Sequence, residues 1–346
     1  TRSFPVDAVA KMAELGLFGL PFAERYGGSD SDFTTLCIAI EELARVDQSI
    51  AITLEAAVGL GISPIAEFGT EAQQDQWLPD LVAGRTLAGF GLTEPGSGSD
   101  ASEISTRAEL IDGTWIINGS KAFITNSGTE ITSLVTITAK TGPSEISSFL
   151  IPTDTPGFEV EPAYDKMGWH ASDTHGLRFE DCRVREDHLL GKRGHGFRQF
   201  MSILDDGRIA IAALAVGVLQ ACLEETTAYA KDRTSFGQSI GSYQAVAFRI
   251  ADIEVMAEAA RLLTYKAAWL KDTGQPYRHA AARAKLYATE SAVSATRMAT
   301  QVFGGAGFLD DTLVARHYRD AKVLEIGEGT SEVQRMVIAR GLGLEV

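Results

Sequence analysis

The hydrophobic period of this sequence changes twice along the chain, and these changes restrict the possible folds more than any other feature. Up to about residue 88 the apolar residues recur at helical spacing, as they do throughout 33–46. Between residues 86 and 182 the runs become short, β-branched and alternating, for example over 131–138, and glycine and proline clusters separate them. Long helical runs return after Gly194. The order is helices, strands, helices, which does not match a βαβ series.

These stretches predict three domains in an α+β fold of α-β-α order. They are an N-terminal helical domain (residues 1–88), a central β domain (89–192) and a C-terminal helical bundle (193–346). The spacing of the strands predicts an antiparallel sandwich or barrel in the centre. Long helices are predicted over 197–231, 244–271 and 277–302. Alanine at their packing positions lets helices approach closely, which favours a four-helix bundle.

The composition is that of an ordinary globular protein, with 346 residues of which 45% are hydrophobic and 22% charged. The formal net charge of −15 argues against nucleic acid or an anionic membrane as the main partner, but an anionic small molecule can still bind in one basic pocket. The longest apolar run, 209–219, is too short to cross a bilayer. Three widely spaced cysteines and six scattered histidines predict no disulfide framework, no metal site and a reducing compartment.

One carboxylate near the C-terminus, that of Glu328, lies between two glycines immediately before a predicted helix. The simplest interpretation is structural: Gly327 and Gly329 are ordinary loop residues, and Ser331 with Gln334 forms a capping box. A glutamate at a helix entrance is also well placed to meet a ligand, because free backbone N–H groups converge there. The local sequence leaves both interpretations open.

Two predicted strand ends in the central domain are candidate ligand-binding loops, although by composition alone the first would be a strand that ends in a Pro-Gly turn. Residues 90–100 read FGLTEPGSGSD, and their three glycines would let the main chain approach a phosphate closely. The pattern is not GxGxxG and no helix follows directly, so a Rossmann site is a poor match. Phe123 and Thr125 are predicted to share one strand face, where they could contact a flat heteroaromatic ring. Core packing explains Phe123 equally well, whereas Thr125 is harder to assign to packing.

Two helix breaks in the C-terminal domain are weaker signals. Residues 233–237 (RTSFG) separate two long helices and also fit a solvated turn. Gln301 with Gly304 and Gly305 fits the end of a helix, where glycine is the usual cap. Neither break predicts a function by itself.

Taken together and in order, these stretches resemble the acyl-CoA dehydrogenases along essentially the whole chain. The matching segments are 90–100 (FGLTEPGSGSD), 123–126 (FITN), 233–237 (RTSFG), 301–305 (QVFGG) and 325–335. The resemblance implies FAD as cofactor, an acyl-CoA substrate of fatty acid β-oxidation and an electron-transfer flavoprotein as electron acceptor. It also implies a homo-oligomer, commonly a tetramer. The expected location is the cytoplasm of a bacterium or, after removal of a transit peptide, the mitochondrial matrix.

The resemblance implies a role for each matching residue. The flavin ring would be lined by Phe90, Leu92 and Thr93. The pyrophosphate would lie close to Gly98 and Ser99, and Ser99 would also lie near CoA. Phe123 and Thr125 would pack on the flavin and form a hydrogen bond near its N5. The adenosine-diphosphate half of FAD, partly across a subunit interface, would contact Arg233, Ser235, Phe236, Gln244, Gln301 and Gly305, with Gly304 as a further cofactor-binding position. Thr330 and Glu332 match cofactor contacts, and Asp205 and Arg208 match substrate-side residues. Glu328 matches the catalytic base.

These roles imply a dehydrogenation in which Glu328 takes the α-proton of the thioester while the β-hydride moves to flavin N5, giving trans-2-enoyl-CoA. The backbone N–H of Glu328 and a flavin ribityl hydroxyl would bind the developing enolate oxygen. No metal takes part.

Three departures from the family pattern modify this prediction, and a fourth position, Gly207, agrees with the usual placement of the base at Glu328. Phe123 stands where many relatives have tryptophan, which should change the stacking without abolishing it. Gly327 stands where many straight-chain enzymes have tyrosine, so the pocket should open toward branched or bulky acyl groups. Enzymes specific for isovaleryl-CoA place their base at the position of Gly207, which is no carboxylate here. The chain also begins without the leading helix usual in the family, which suggests a trimmed or incompletely ordered N-terminus.

Four other functions fit the sequence less well. A flavin-dependent monooxygenase of the same fold would normally lack the equivalent of Glu328. An acyl-CoA oxidase, which passes electrons to oxygen, would keep the same base and flavin site but is usually longer at its C-terminus. A DNA-binding flavoprotein of the same fold would need a basic patch, which the net charge disfavours. A purely structural helical bundle would leave residues 90–100 and 233–237 unexplained.

Overall fold

The computed structural model describes residues 3–345 of the chain. Its elements follow the predicted order of helices, strands and helices, which confirms the α+β fold class. By packing, the described chain forms two compact units. The β unit comprises residues up to 31, 53–166 and 170–207, and the helical unit comprises 32–52, 167–169 and 208–345. Each unit is described by itself.

Ten α-helices occur within residues 3–345, and a π-helical segment, Ala56–Ile62, joins the third to the fourth. They are α1 (Val6–Glu14), α2 (Phe33–Val46), α3 (Gln48–Glu55), α4 (Ser63–Phe68), α5 (Glu71–Val82), α6 (Gly196–Asp232), α7 (Gln244–Asp272), α8 (Arg278–Phe303), α9 (Leu313–Ala321) and α10 (Ser331–Gly341). Local chemistry explains several starts. The Thr70 hydroxyl accepts from the Gln73 backbone N–H while the Gln73 side chain accepts from Thr70 N–H, a capping box that starts α5.

The strands of the β unit form one eight-stranded sheet, in the order β6-β7-β3-β2-β4-β5-β8 with β1 also paired to β4. Their bounds are β1 (Leu87–Gly91), β2 (Arg107–Ile111), β3 (Thr114–Thr125), β4 (Thr132–Gly142), β5 (Glu145–Pro152), β6 (Phe158–Val160), β7 (Thr174–Arg185) and β8 (Leu189–Leu190). Most neighbours are antiparallel, as predicted. However, β1 and β2 run parallel to β4, because long connections rather than hairpins join them.

Turn chemistry and alternation set the register of this sheet. Asp112 and Gly113 both have positive φ, 48° and 75°, and form the tight turn between β2 and β3. On β3 the side chains of Trp115, Ile117 and Lys121 are buried on the same alternating register. The first two belong to the core of the sheet, whereas Lys121 brings a charge into it.

Close backbone approach holds the N-terminal helices of the β unit against β1. A Cβ atom added at Gly61, in the π-helical segment, would lie 2.7 Å from the Ala88 carbonyl oxygen. Only glycine therefore lets this segment lie directly against the strand that leads into residues 90–100.

Long alanine-rich helices build the helical unit. The predicted bounds 244–271 and 277–302 agree with α7 and α8 to within one residue, because helical periodicity is strong in long segments. The segments Gln48–Phe68 and Gly196–Asp232 are long and apolar enough to cross a membrane by composition alone. In each, 78% of the most apolar window is buried in the protein, as in the core helices of a folded domain. α9 and α10 both pack on α8.

Candidate active site

The end of β1 places the first predicted site residues of the β unit. Phe90 and Leu92 are buried in a small apolar cluster, where the Phe90 ring stacks on Phe200 with centroids 3.9 Å apart. Thr93 is half-buried, and its carbonyl accepts a 2.8 Å hydrogen bond from the Ala122 N–H of β3. The ends of β1 and β3 are therefore joined side by side.

A buried ion pair fixes the turn that follows. The Nζ atom of Lys121 lies 2.8 Å from a Glu94 carboxylate oxygen, and both side chains are almost wholly buried. Glu94 also accepts from the backbone N–H groups of Ser105 and Thr106, and Lys121 also donates to the Leu92 carbonyl. Burial alone would raise the pKa of Glu94, but the Lys121 ammonium and these donors lower it to about 2. Glu94 is thus a carboxylate that orders the loop.

Beyond this anchor the loop is open. Gly98 and Ser99 are exposed, and a Cβ atom added at Gly98 would meet nothing within 4 Å. The φ of Gly98 is not positive, so the backbone does not require glycine there. The lack of a side chain leaves space above the main chain that no residue among 3–345 fills, as a phosphate-binding loop needs.

Phe123 is exposed and has an unusual backbone. Its φ is +62°, at an irregularity in the pairing of β3 with β7, and 65% of its surface is accessible. A bulky residue in the left-handed region costs on the order of 1–3 kcal/mol. The interpretation of Phe123 as a core residue is therefore wrong: its ring contacts Tyr164, 5.1 Å away, and otherwise forms surface. Thr125 is half-buried, and buried Ile124 stands between the two residues in sequence.

The helical unit brings together the two helix breaks at residues 233–237 and 301–305. Phe236 and Gly237 both have positive φ and form the turn of a short hairpin of β9 (Thr234–Ser235) and β10 (Gln238–Ser239). The turn leaves Phe236 96% exposed. One turn before this hairpin, Tyr229 stacks on Phe303 at 4.1 Å, which joins the end of α6 to the end of α8.

The end of α8 borders a surface cavity of about 220 Å³. It is lined by Thr300, Gln301, Gly304, Gly307 and Phe308. Gly304 has φ +60°, and at Gly305 an added Cβ would meet nothing within 4 Å. Arg233 and Gln301 are exposed, as is Gln244 at the first position of α7. Of these predicted cofactor contacts, Gln301 and Gly304 line the cavity. Arg233 is exposed at the other helix break, and Gln244 is exposed at the start of α7.

The loop of Glu328 differs from the predicted capping box. Thr330, not Ser331, is the residue before α10, and its hydroxyl accepts from the Val333 N–H at 3.3 Å. Gln334 instead donates to the Gly329 carbonyl at 2.8 Å and to the Glu328 carbonyl at 3.4 Å. The capping-box prediction was wrong because Thr330, also a good capping residue, caps a helix that begins at Ser331, so Gln334 lies one position too late to close a capping box.

Glu328 itself is a glutamate in a conformation that favours glycine, with φ +53°. It is half-buried, and its Oε2 atom is fully buried. Gly327, just before it, needs no special φ, and an added Cβ would lie at an ordinary 3.5 Å from the Val323 carbonyl oxygen. The fold therefore tolerates a side chain at position 327, and its absence leaves space next to Glu328.

Two cations lie near this loop within the helical unit. Lys285, fully buried on α8, donates to the Gly329 carbonyl at 2.8 Å. Burial lowers the pKa of Lys285 to about 8, Glu328 opposes this, and Arg208 lowers it further. Buried Arg208 is therefore close enough to act electrostatically on the same group. Asp205 precedes it by three residues on one face of α6, and Glu332 is exposed in the first turn of α10.

Sequence reasoning missed the loop-holding roles of Lys121, Glu94 and Lys285, and it gave Gln334 a different structural role in its loop. A signal existed for the two lysines. Each stands on the buried register of its element, Lys121 on the inner face of β3 and Lys285 on the alanine stripe of α8. A charge at a core position requires a partner. Within residues 3–345 no group of three or more histidine, cysteine or acidic residues is arranged to hold a metal ion.

Comparisons with known proteins agree with this arrangement. The N-terminal, middle and C-terminal domain models of the acyl-CoA dehydrogenases match residues 1–85, 89–182 and 194–343. The chain is 48% identical to a probable acyl-CoA dehydrogenase, YngJ, of Bacillus subtilis, over 99% of this chain and 91% of that protein.

Two solved structures share the fold at 42% identity each, covering 99% of this chain and 91% of theirs. Butyryl-CoA dehydrogenase from Megasphaera elsdenii superposes with a TM-score of 0.96. A chain from work on the electron transferring flavoprotein of Acidaminococcus fermentans superposes with a TM-score of 0.97. Because all three domain models match in order along one chain, this protein belongs to the acyl-CoA dehydrogenase family of FAD-dependent oxidoreductases.

Proposed function

We propose that this protein oxidises a short-chain or branched acyl-CoA thioester to its trans-2-enoyl-CoA, with Glu328 as the base. The conformation of Glu328 carries this proposal. A glutamate with φ +53° between two glycines is a costly choice for a loop, so its side chain must serve a purpose. Its buried carboxylate oxygen and the nearby cations are what a base needs to act on a weakly acidic C–H group away from water.

The open positions of both units fit FAD. Gly98 has empty space at its Cβ position on the β unit, and Gly305 has the same on the helical unit. The exposed rings of Phe123 and Phe236 offer apolar surfaces to planar ring systems. We propose that Phe90, Leu92, Thr93, Phe123 and Thr125 contact the flavin and that Gly98 and Ser99 hold the pyrophosphate. Residues 233–237, Gln244, Gln301, Gly304 and Gly305 hold the adenosine half, with Thr330 and Glu332 as further contacts.

The residues of the chain then divide the reaction as follows. The backbone N–H of Glu328 donates to the thioester oxygen, which acidifies the α-carbon. The Glu328 carboxylate accepts the α-proton, and Asp205 and Arg208 orient the substrate. When bound, FAD would supply the two-electron oxidant that this loss of a proton and a hydride requires. The likeness to a butyryl-CoA dehydrogenase supports a short acyl chain. The open space at Gly327 supports a branched one.

Electron transfer to a second flavoprotein is the proposed fate of the electrons. The likeness to a chain studied with an electron transferring flavoprotein supports it. We also propose a homo-oligomer, commonly a tetramer in the family, in which the exposed turn at Phe236 reaches the FAD of a neighbouring subunit.

Glu328→Gln tests the base directly. The amide cannot accept the proton, so flavin reduction by butyryl-CoA should slow by roughly three orders of magnitude or more while FAD and butyryl-CoA still bind. Anaerobic stopped-flow absorbance measures the rate. Glu325→Gln, an equal change of charge in the same segment, is the matched control and should retain most of the rate. Near-normal reduction in Glu328→Gln would mean that another base operates.

A panel of straight and branched acyl-CoA thioesters identifies the substrate. Turnover measured with an electron-transfer dye and then with oxygen alone separates a dehydrogenase from an oxidase. We expect rapid turnover with the dye and slow turnover with oxygen. Equal rates with both would favour the oxidase.

A further inference from the structure

A charged side chain lies at the centre of the helix that packs beneath the Glu328 loop. Lys285 stands on the buried face of α8, where Ala281, Ala284 and Ala288 are its neighbours on the same stripe, and none of its surface is exposed. An ammonium ion is among the groups least often buried in proteins, because water solvates it far better than a helix interface does. Any apolar side chain would pack there at lower cost, so the charge needs an explanation beyond packing.

The contacts of Lys285 supply that explanation. Its Nζ atom donates to the Gly329 carbonyl oxygen at 2.8 Å, and the Gln334 side chain of α10 donates to the same oxygen, also at 2.8 Å. Gln334 is fully buried as well. Two donors from two different helices therefore hold the Gly329–Thr330 peptide unit, which begins one residue after Glu328. With φ at +53° for Glu328 and +90° for Gly329, this backbone is not in a conformation that the chain would adopt without support.

Lys285 also faces the charges of the site. Glu328, Glu325 and Glu332 favour its protonated form, and Arg208 opposes it. A buried ammonium near a carboxylate stabilises the ionised carboxylate in turn. The same side chain can thus hold the loop and keep Glu328 ready to accept a proton.

We propose that Lys285, together with Gln334, is a positioning residue for the base: it holds the Gly329 carbonyl, which fixes the left-handed backbone of residues 328 and 329, and its charge favours the Glu328 carboxylate. This inference rests on the proposed role of Glu328. Lys285 is proposed to contact neither substrate nor cofactor and to act only through the loop that contains Glu328.

Three substitutions separate the hydrogen bond from the charge. Lys285→Met removes both, Lys285→Gln removes the charge but retains a donor, and Lys285→Arg retains both. Lys266→Met, an exposed lysine of α7, is the matched control. In Lys285→Met the rate of flavin reduction at saturating butyryl-CoA should fall roughly 10- to 100-fold, with a smaller change in KM, because the base is displaced rather than lost. Lys285→Arg should recover a large part of that rate.

The pH dependence of flavin reduction is the most specific measurement, because substitution of a lysine with only a structural role would not change it. Without the ammonium, the acid-side half-maximum of flavin reduction should shift upward by roughly one pH unit in Lys285→Met and Lys285→Gln but not in Lys285→Arg or Lys266→Met. A second readout needs no flavin chemistry. Hydrogen–deuterium exchange of the amides at residues 326–331 should accelerate in Lys285→Met.

Each outcome decides the question. Loss of thermal stability with an unchanged rate, pH profile and loop exchange would overturn the inference and leave Lys285 as a packing residue. If Lys285→Met is not recovered folded, Lys285→Gln decides by its pH profile alone, and an unshifted profile overturns the inference. The Glu328→Gln experiment distinguishes the two proposals. If that variant remains active, the assignment of Glu328 as the base fails. Faster exchange of the loop amides in Lys285→Met would still show that Lys285 holds the loop.

Discussion

Each of the two compact units buries a lysine beneath a loop with predicted site residues, and the two lysines are used differently. In the β unit Lys121 faces the Glu94 carboxylate at 2.8 Å, and Glu94 in turn accepts from two backbone N–H groups. In the helical unit Lys285 donates to a neutral carbonyl, that of Gly329. Burial lowers the pKa of both lysines to about 8, with Glu94 opposing the shift for Lys121 and Glu328 opposing it for Lys285.

The two partners, a carboxylate and a carbonyl, give the two lysines different roles. A buried carboxylate that has lost its cation is strongly unfavourable, so the β unit depends on Lys121 for the loop after β1. A carbonyl that loses one of two donors keeps the other, here Gln334. We therefore infer that Lys121 matters mainly to folding and that Lys285 matters mainly to the site.

Breaking the pair in the β unit should have the largest effect on stability. Lys121→Met leaves the Glu94 carboxylate buried without its cation and should lower the free energy of unfolding by about 3–5 kcal/mol. The double variant Lys121→Met/Glu94→Gln should recover most of this loss, because the amide still accepts from the Ser105 and Thr106 N–H groups. Urea unfolding measures all three proteins beside Lys285→Met. A loss in Lys285→Met as large as that in Lys121→Met would contradict the contrast between the units.

Acid should act on the same pair. The Glu94 carboxyl has its pKa lowered from 4.5 to about 2, so between these values the unfolded chain binds a proton that the folded chain does not. The contribution of Glu94 is present above about pH 4.5 and is lost as the pH falls toward 2. It amounts to on the order of 3 kcal/mol. Urea unfolding at several pH values should show the wild type losing its advantage over Glu94→Gln across that window; a constant difference would refute the assignment.

Glycine substitutions should have the smallest effect on stability. They compare the space that each unit leaves for a side chain at one of its glycines. A Cβ at Gly128 of the β unit would lie 2.4 Å from the His175 ring, whereas a Cβ at Gly327 has an ordinary contact. We expect Gly128→Ala to lower the thermal midpoint and Gly327→Tyr to leave it nearly unchanged. Gly327→Tyr should shift preference from branched toward straight acyl-CoA by roughly tenfold, which corresponds to about 1.4 kcal/mol. Unchanged relative rates across the panel would remove the pocket argument.

The sequence predicted the fold well where the signal is periodic. Helices as long as α7 and α8 repeat their pattern many times, so their bounds agreed to within a residue. It did less well where non-local contacts decide. Nothing local distinguishes a parallel from an antiparallel partner for β1. The helix α10 begins one residue earlier than predicted, with Thr330 as its cap and Gln334 bonded to the Gly329 carbonyl. The exposure of Phe123 likewise follows from an irregularity between β3 and β7 that one strand alone does not reveal.

By itself the sequence determined the α-β-α order, the family resemblance and the choice of Glu328 as the proposed base, because these depend on periodicity and on short segments read along the chain. Only the tertiary structure decided what holds that base. Lys285 and Glu328 are far apart in sequence, and the free energy of burying an ammonium depends on which groups surround it after folding. The same holds for Lys121 and Glu94, a pair 27 residues apart that β1 and β3 bring within 2.8 Å.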